Sequence, residues 1–205
     1  MKALVLNCTL KPTPATSSTE ALARVVIAEL EKGGAAVEIV RLVDLNLKPG
    51  VRTDEGKGDD WPAVHAKIMA ADILVMATPT WLGQMSSVCL RALERMDGLF
   101  SETDDAGRPV AFGKVAGVVV TGNEDGAHNI VATVCQGLID MGFTIPGQSW
   151  TYWHLGPGPG PDYVETKQGH DYSDRVGRNA ARNLLALAKV LKPSTYPVPE
   201  SAGDA

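Results

Sequence analysis

The chain carries only three cysteines, Cys8, Cys89 and Cys135, odd in number and far apart. They form no Cys-x-x-Cys pair and no Cys/His spacing suited to a metal, so they read as reduced thiols in a cytosolic protein. No run approaches the ~20 apolar residues that a membrane span needs. The opening Met-Lys-Ala-Leu-Val-Leu-Asn gives way at once to a polar, proline-containing stretch, which does not spell a signal peptide. Basic runs never exceed a residue or two, and 19 basic against 24 acidic residues leave a net charge of −5. That balance argues against nucleic acid or an anionic membrane as partner. Two nucleotide signatures are missing as well. There is no Gly-x-x-x-x-Gly-Lys-Ser/Thr, and no Gly-x-Gly-x-x-Gly follows the first apolar run, while Asp44 stands too far on to serve as a ribose acid. No carboxylate ends the third apolar run, as a phospho-accepting domain would require, and no Ser-His-Asp signature or metal cluster is visible.

What is present is alternation. Five apolar runs of strand length, Ala3–Asn7, Val37–Leu42, Ile73–Ala77, Val115–Val120 and a weaker Phe143–Ile145, are separated by segments of helical period. The helices are expected after Ser17, with Leu22, Val25, Val26 and Leu30 on one face and Gly33-Gly34 as the stop; from Trp61-Pro62 to Ala71; over Ser87–Phe100; from His128 to Met141; and over Ser173–Leu191. Uninterrupted apolar strands in strict alternation with helices predict a parallel sheet covered on both faces. Five such units suit an α/β, flavodoxin-like three-layer sandwich with a five-stranded parallel sheet in the order 2-1-3-4-5. The 205 residues suit one domain, over 1–192, followed by a Pro-rich tail, 193–205, that reads as disordered.

In that order the first, third and fourth strands are neighbours, and ligands bind beyond their carboxyl ends. The unusual loops follow these same strands. The first, Cys8–Ser18, is rich in hydroxyls and runs into a helix N-terminus, where free N–H groups and the dipole favour an anion. A plain cap needs one hydroxyl, yet Ser17, Ser18 and Thr19 are consecutive, which points to a phosphate. The second, Thr78-Pro79-Thr80-Trp81-Leu82-Gly83-Gln84-Met85, joins a tight backbone path to a flat, polarisable surface, as an isoalloxazine ring needs. In the third, Thr121-Gly122-Asn123-Glu124-Asp125-Gly126-Ala127-His128, two glycines let backbone approach a planar ligand and Asn123 offers donor and acceptor edges. Asp125 reads equally as a helix cap, and His128 as a first-turn residue or a flavin-edge contact. Trp150, Tyr152 and Trp153 read either as the wall of an acceptor pocket or as packing beneath a Gly-Pro loop; His154 and His65 read as surface residues.

These loops resemble the motifs of the flavodoxin-like NAD(P)H-dependent FMN reductase and quinone reductase family. Asn7-Cys8-Thr9-Leu10-Lys11 followed by Ser17-Ser18-Thr19 stands where that family has Asn-Gly-Ser-Pro-Arg and a Ser/Asn-Thr helix start. Thr78 through Ser86 follows its Thr-Pro-Thr-Tyr/Trp-x-Gly-x-Met-Ser, and Thr121–Gly126 its Thr-Gly-Asn-x-x-Gly. Cys8 and Leu10 depart from the usual Gly and Pro; Cys8 reads as a buried strand-end thiol. The resemblance implies non-covalent FMN, its phosphate held by Thr9, Lys11, Ser17, Ser18 and Thr19. The ring would be held by Pro79, Thr80, Trp81, Leu82, Gly83, Gln84 and Met85, and by Thr121, Gly122, Asn123, Glu124, Asp125, Gly126 and His128. It further implies NAD(P)H as electron donor, a small acceptor such as a quinone, and a homodimer or homotetramer. The competing expectations are a flavodoxin-type electron carrier without NAD(P)H turnover, and a flavin-free scaffold of the same fold.

Overall fold

The computed structural model describes residues 1–158, 160–192 and 196–200. The chain enters strand β1 (Lys2–Asn7), then helix α1 (Ser18–Lys32), β2 (Ala36–Arg41) and α2 (Trp61–Ala70). Strand β3 (Ile73–Trp81) turns back on the short β4 (Gln84–Met85) before α3 (Ser87–Met96). There follow β5 (Val115–Thr121), α4 (Ala127–Asp140), β6 (Trp150–Trp153) and α5 (His170–Leu191). The parallel sheet runs β2-β1-β3-β5-β6, and β4 adds an antiparallel pair to the end of β3. This is the flavodoxin-like topology that the alternation predicts, with β5 and β6 as its fourth and fifth parallel strands.

Side chains alternate across the sheet and divide the core in two. Leu4, Leu6, Leu74, Met76, Val118 and Val120 face α2, α3 and α4. Ala3, Val5, Ile73, Val75, Val115 and Val119 face α1 and α5. Because β1, β3 and β5 are covered on both sides, their middles (3–6, 73–77 and 115–120) are apolar at every position, which is why they are legible as continuous runs.

Three expectations need correction. The fifth strand is Trp150–Trp153, paired with Val118–Thr121; of Phe143–Ile145 only Thr144 makes an isolated bridge, to Val115. Helix α3 ends at Met96 and gives way to a 3-10 turn over Asp97–Ser101. His65 is largely buried rather than on the surface, its Nε2 3.0 Å from Glu102 Oε2 though not aligned for a hydrogen bond. In the tail, 193–195 and 201–205 lie outside the described residues; Tyr196 packs its ring on Phe112 and its hydroxyl lies 2.8 Å from Thr144 Oγ1.

Candidate functional site

The site is built where β1, β3 and β5 end. Asn7, the last residue of β1, has its Oδ1 accepting the Thr9 N–H, and Thr9 Oγ1 in turn accepts the Lys11 N–H. Arg41, at the end of β2, donates to the carbonyls of Lys11 and Ala15 and to Glu20. The first loop is thus held from the sheet side by a guanidinium that does not enter the crevice. Ser17 is the α1 N-cap, its hydroxyl accepting the Glu20 N–H. Burial works to raise the Glu20 carboxyl, but hydrogen bonds from Arg41 and Arg24 outweigh it and hold it below its ordinary value.

Thr19 Oγ1 meets Thr121 Oγ1 at 2.8 Å, joining the first loop's helix to the end of β5. Ser86, the α3 N-cap, donates to the Cys8 carbonyl and so joins the first loop to the second. Cys8 itself is fully buried; burial, then its neighbour Cys89, raises its thiol well above the ordinary value, which keeps it protonated and unreactive.

The second loop is a hairpin. Trp81 pairs with Gln84 across a two-residue turn in which Leu82 and Gly83 have φ of 52° and 71°. Two left-handed residues in a row are what a tight hairpin of this twist requires, but a leucine there is strained by roughly 1–2 kcal/mol. The turn is held from the third loop. Leu82 N–H donates to Glu124 Oε1, Asn129 Nδ2 donates to the Gly83 carbonyl, and Gly126 (φ 120°) lies flat against Gly83. A Cβ on Gly126 would stand 2.6 Å from Gly83 Cα, a backbone atom with nowhere to go. Gly126→Ala is therefore expected to cost ~1–3 kcal/mol in stability. In thermal denaturation that is a fall of ~2–4 °C per kcal/mol for a chain of this size.

Together the three loops line one crevice. Its walls are Thr9, Leu10, Lys11, Ser18 and Thr19; Pro79, Thr80 and Trp81; Thr121, Gly122 and Asn123; and Trp153, Asp162 and Tyr163. Inside it the Ser18 hydroxyl is buried without a hydrogen-bond partner. It sits in the first turn of α1, where Ser17 Oγ takes the Glu20 N–H and the Ser17 carbonyl the Ala21 N–H, while the Ser18 and Thr19 N–H groups stay free. An orphaned hydroxyl at a helix N-terminus beside free N–H groups suits an anion, so the residues present fit a phosphate group.

The remaining expected residues stand apart from the lining. Leu82, Gly83, Gln84 and Met85 form the hairpin tip and its return strand; Leu82 is 90% exposed and Trp81, at the rim, 54%. Glu124 and Gly126 dock that tip. Asp125 and His128 lie on the far side of the third loop, where the His128 ring meets Trp150 and Tyr152 edge-on and lines a separate hollow with Tyr152 and His154. Trp150 and Tyr152 share that face of the sheet with His128, while Trp153, one residue on, turns to the opposite face and the crevice. Asp162 and Tyr163 come from the Gly-Pro loop before α5, where no local pattern marks them. Only the strand alternation of Trp150-Thr151-Tyr152-Trp153 could have singled out Trp153. Burial, and then the Asp174 carboxylate that accepts its hydroxyl, raises Tyr163 above the ordinary tyrosine value, so it stays neutral.

A flavodoxin-like sheet with a crevice beyond the ends of its central strands defines a class of mononucleotide-binding α/β proteins. Within it, residues 1–156 match the model of the NADPH-dependent FMN reductase family, and the chain belongs to that family. It is similar to 8-demethyl-8-aminoriboflavin-5′-phosphate synthase of Streptomyces davaonensis, 34% identical over 96% of this chain and 80% of that protein. A crystal structure of RosB with bound 8-demethyl-8-formylriboflavin-5′-phosphate superimposes with a TM-score of 0.89, at 33% identity over 96% of this chain and 82% of that one. The chain also matches, at 34% identity over 94% of its length, a Mycobacterium bovis protein named divalent metal cation transporter MntH, of which it spans only 29%. The protein is accordingly an FMN-binding flavoprotein of an oxidoreductase family. No helix among the described residues is long and apolar enough to cross a membrane.

Proposed function

We propose that the crevice takes FMN phosphate-first and that the protein passes a hydride from NAD(P)H through the flavin to a small acceptor such as a quinone. The observation that carries this reading is the buried, unpartnered Ser18 hydroxyl in a crevice lined by all three loops. In it Ser18, Thr19 and Thr9 hold the phosphate while Ser17 fixes the helix start, and Lys11 stands beside them paired with Asp162. Bound FMN supplies the hydride chemistry; the chain positions it. Pro79, Thr80 and Trp81 offer one wall to the ring, and Gly122 and Asn123 offer backbone and amide to its polar edge. Gly122 must be glycine for this, since a Cβ would strike the Thr80 side chain at 2.7 Å. Trp153 and Tyr163 exclude water from the closed side. The reading takes residues 1–192 as one FMN-binding domain that works in the cytosol as a homodimer or homotetramer.

The visible spectrum of the purified protein, cofactor release on denaturation and NAD(P)H oxidation with a quinone test it. Released FMN with parallel steady-state lines is the expected result. Bound FMN with negligible turnover would make the protein an electron carrier, and intersecting lines would rule out the exchange of NAD(P)H and acceptor at one flavin face. A second reading treats riboflavin 5′-phosphate as the substrate that is itself altered. The specific observation in its favour is the likeness, over nearly the whole chain, to a synthase named for a modified flavin phosphate. Chromatography of the flavin after incubation separates the two, because only the second predicts a new flavin.

A further inference from the structure

The charges that face the crevice nearly cancel. Among its described lining residues Lys11 is the one cation and Asp162 the one acid, and they are paired, Nζ to Oδ2 at 3.4 Å. Arg41, the nearest other cation named in the first loop's network, is committed to Glu20 at 2.6 Å and to two loop carbonyls. Asp162 does not stand there by chance of a floppy loop. Its main chain is fixed at the 3-10 turn Tyr163–Glu165: the Asp162 carbonyl accepts the Glu165 N–H at 2.9 Å, and Glu165 Oε2 accepts the Asp162 N–H at 2.9 Å. The loop is tied to the third loop as well, by Asn123 Nδ2 donating to the Gly160 carbonyl at 3.0 Å.

A phosphate entering this crevice meets a lysine already neutralised and a carboxylate held in place. Its attraction is left to hydroxyls and to the helix N-terminus, equivalent to about half a charge. A binding site built to retain a phosphate dianion would place no acid there. We propose that Asp162 tunes the crevice for release: by holding Lys11 and keeping a negative charge beside the phosphate, it makes the flavin phosphate an exchanging ligand and not a fixed prosthetic group. The inference rests on the proposed seating of the phosphate by the first loop. It makes Asp162 a positioning residue, acting on the ligand through Lys11 and through its own charge.

The test uses the full chain as purified, with flavin dissociation followed by stopped-flow fluorescence. The bonds that hold the turn run through the Asp162 main chain, so Asp162→Asn and Asp162→Ser remove charge and keep the loop. At low ionic strength each variant is expected to release FMN about tenfold more slowly, the size being modest because both charged groups are half-exposed. The difference shrinks as salt is raised. Riboflavin, which lacks the phosphate, is expected to leave wild type and variants at the same rate. Unchanged FMN release, or an equal change for both flavins, overturns the inference while leaving the crevice reading standing. A wild-type chain that binds neither flavin overturns the crevice reading, and this inference with it.

Discussion

Ser18→Asp is expected to weaken FMN binding by at least about a hundredfold and to leave the protein as stable as before. Ser18 is the first residue of α1 and its hydroxyl is the orphan of the crevice. A hydrogen bond to a charged group is worth ~1.5–3 kcal/mol, so removing the hydroxyl alone, as in Ser18→Ala, should cost roughly tenfold or more. Aspartate goes further and sets a like charge where the phosphate is proposed to sit. The same carboxylate at the start of a helix favours the dipole by ~0.3–1 kcal/mol, so loss of the fold is not the expected cause of lost binding. Fluorescence titration with FMN and riboflavin, beside thermal denaturation, reads all three quantities. Wild-type FMN affinity in Ser18→Asp would show that the phosphate does not enter at α1.

Placing Ser18, Trp81 and Asn123 around one hollow needed only local spelling and the known geometry of a doubly wound sheet. The central strands are apolar through their middles because both faces are covered, and the loops that carry hydroxyls, glycines and an exposed tryptophan are those that strand order brings together. What escaped the sequence has physical reasons. Leu82 occupies a left-handed turn position that favours Asn or Gly, so the spelling marks a tight path but not a hairpin; its strain is held by Glu124 and Gly126, distant in sequence. Strand β6 is spelled almost wholly with aromatics that pack to opposite sides, and the cluster reads as a pocket wall or as packing beneath a loop, not as a strand. Phe143 is buried by the contacts of the α4 end and not by sheet pairing. Asp162 enters the crevice through tertiary placement of a glycine- and proline-rich loop, which no periodicity announces.

The same limit applies to a fully buried ion pair, from which the largest stability effect is expected. Arg95 on α3 and Asp59 in the loop after β2 are both fully buried, paired at 2.7 Å, and 36 positions apart. No local pattern in the sequence pairs them. The guanidinium also donates to the carbonyls of Lys48, Arg52 and Thr53, and the carboxylate accepts the N–H groups of Lys48, Glu55 and Trp61. One ion pair therefore satisfies the backbone of the long 48–60 loop, which explains why that glycine-rich stretch is ordered. Asp59→Asn leaves the guanidinium buried without its counter-charge. Breaking a buried pair from one side costs ~3–5 kcal/mol. The lower end is expected here, because the pair lies beneath a single loop and the carbonyls remain as acceptors. At ~2–4 °C per kcal/mol, the thermal midpoint should fall by roughly 6–12 °C. The pH dependence carries a sign. Hydrogen bonding to Arg95 above all, against the cost of burial, holds the Asp59 carboxyl well below the ordinary carboxylate range. A depressed pKa gives stability that is present above the unfolded value, ~3.9, and is lost as pH falls through the folded one. The gap between wild type and Asp59→Asn should thus be constant near neutrality and close progressively below about pH 4. No residue of 48–60 lines the crevice. FMN affinity at 25 °C should therefore be untouched, and a parallel loss of flavin would mean that the loop shapes the site.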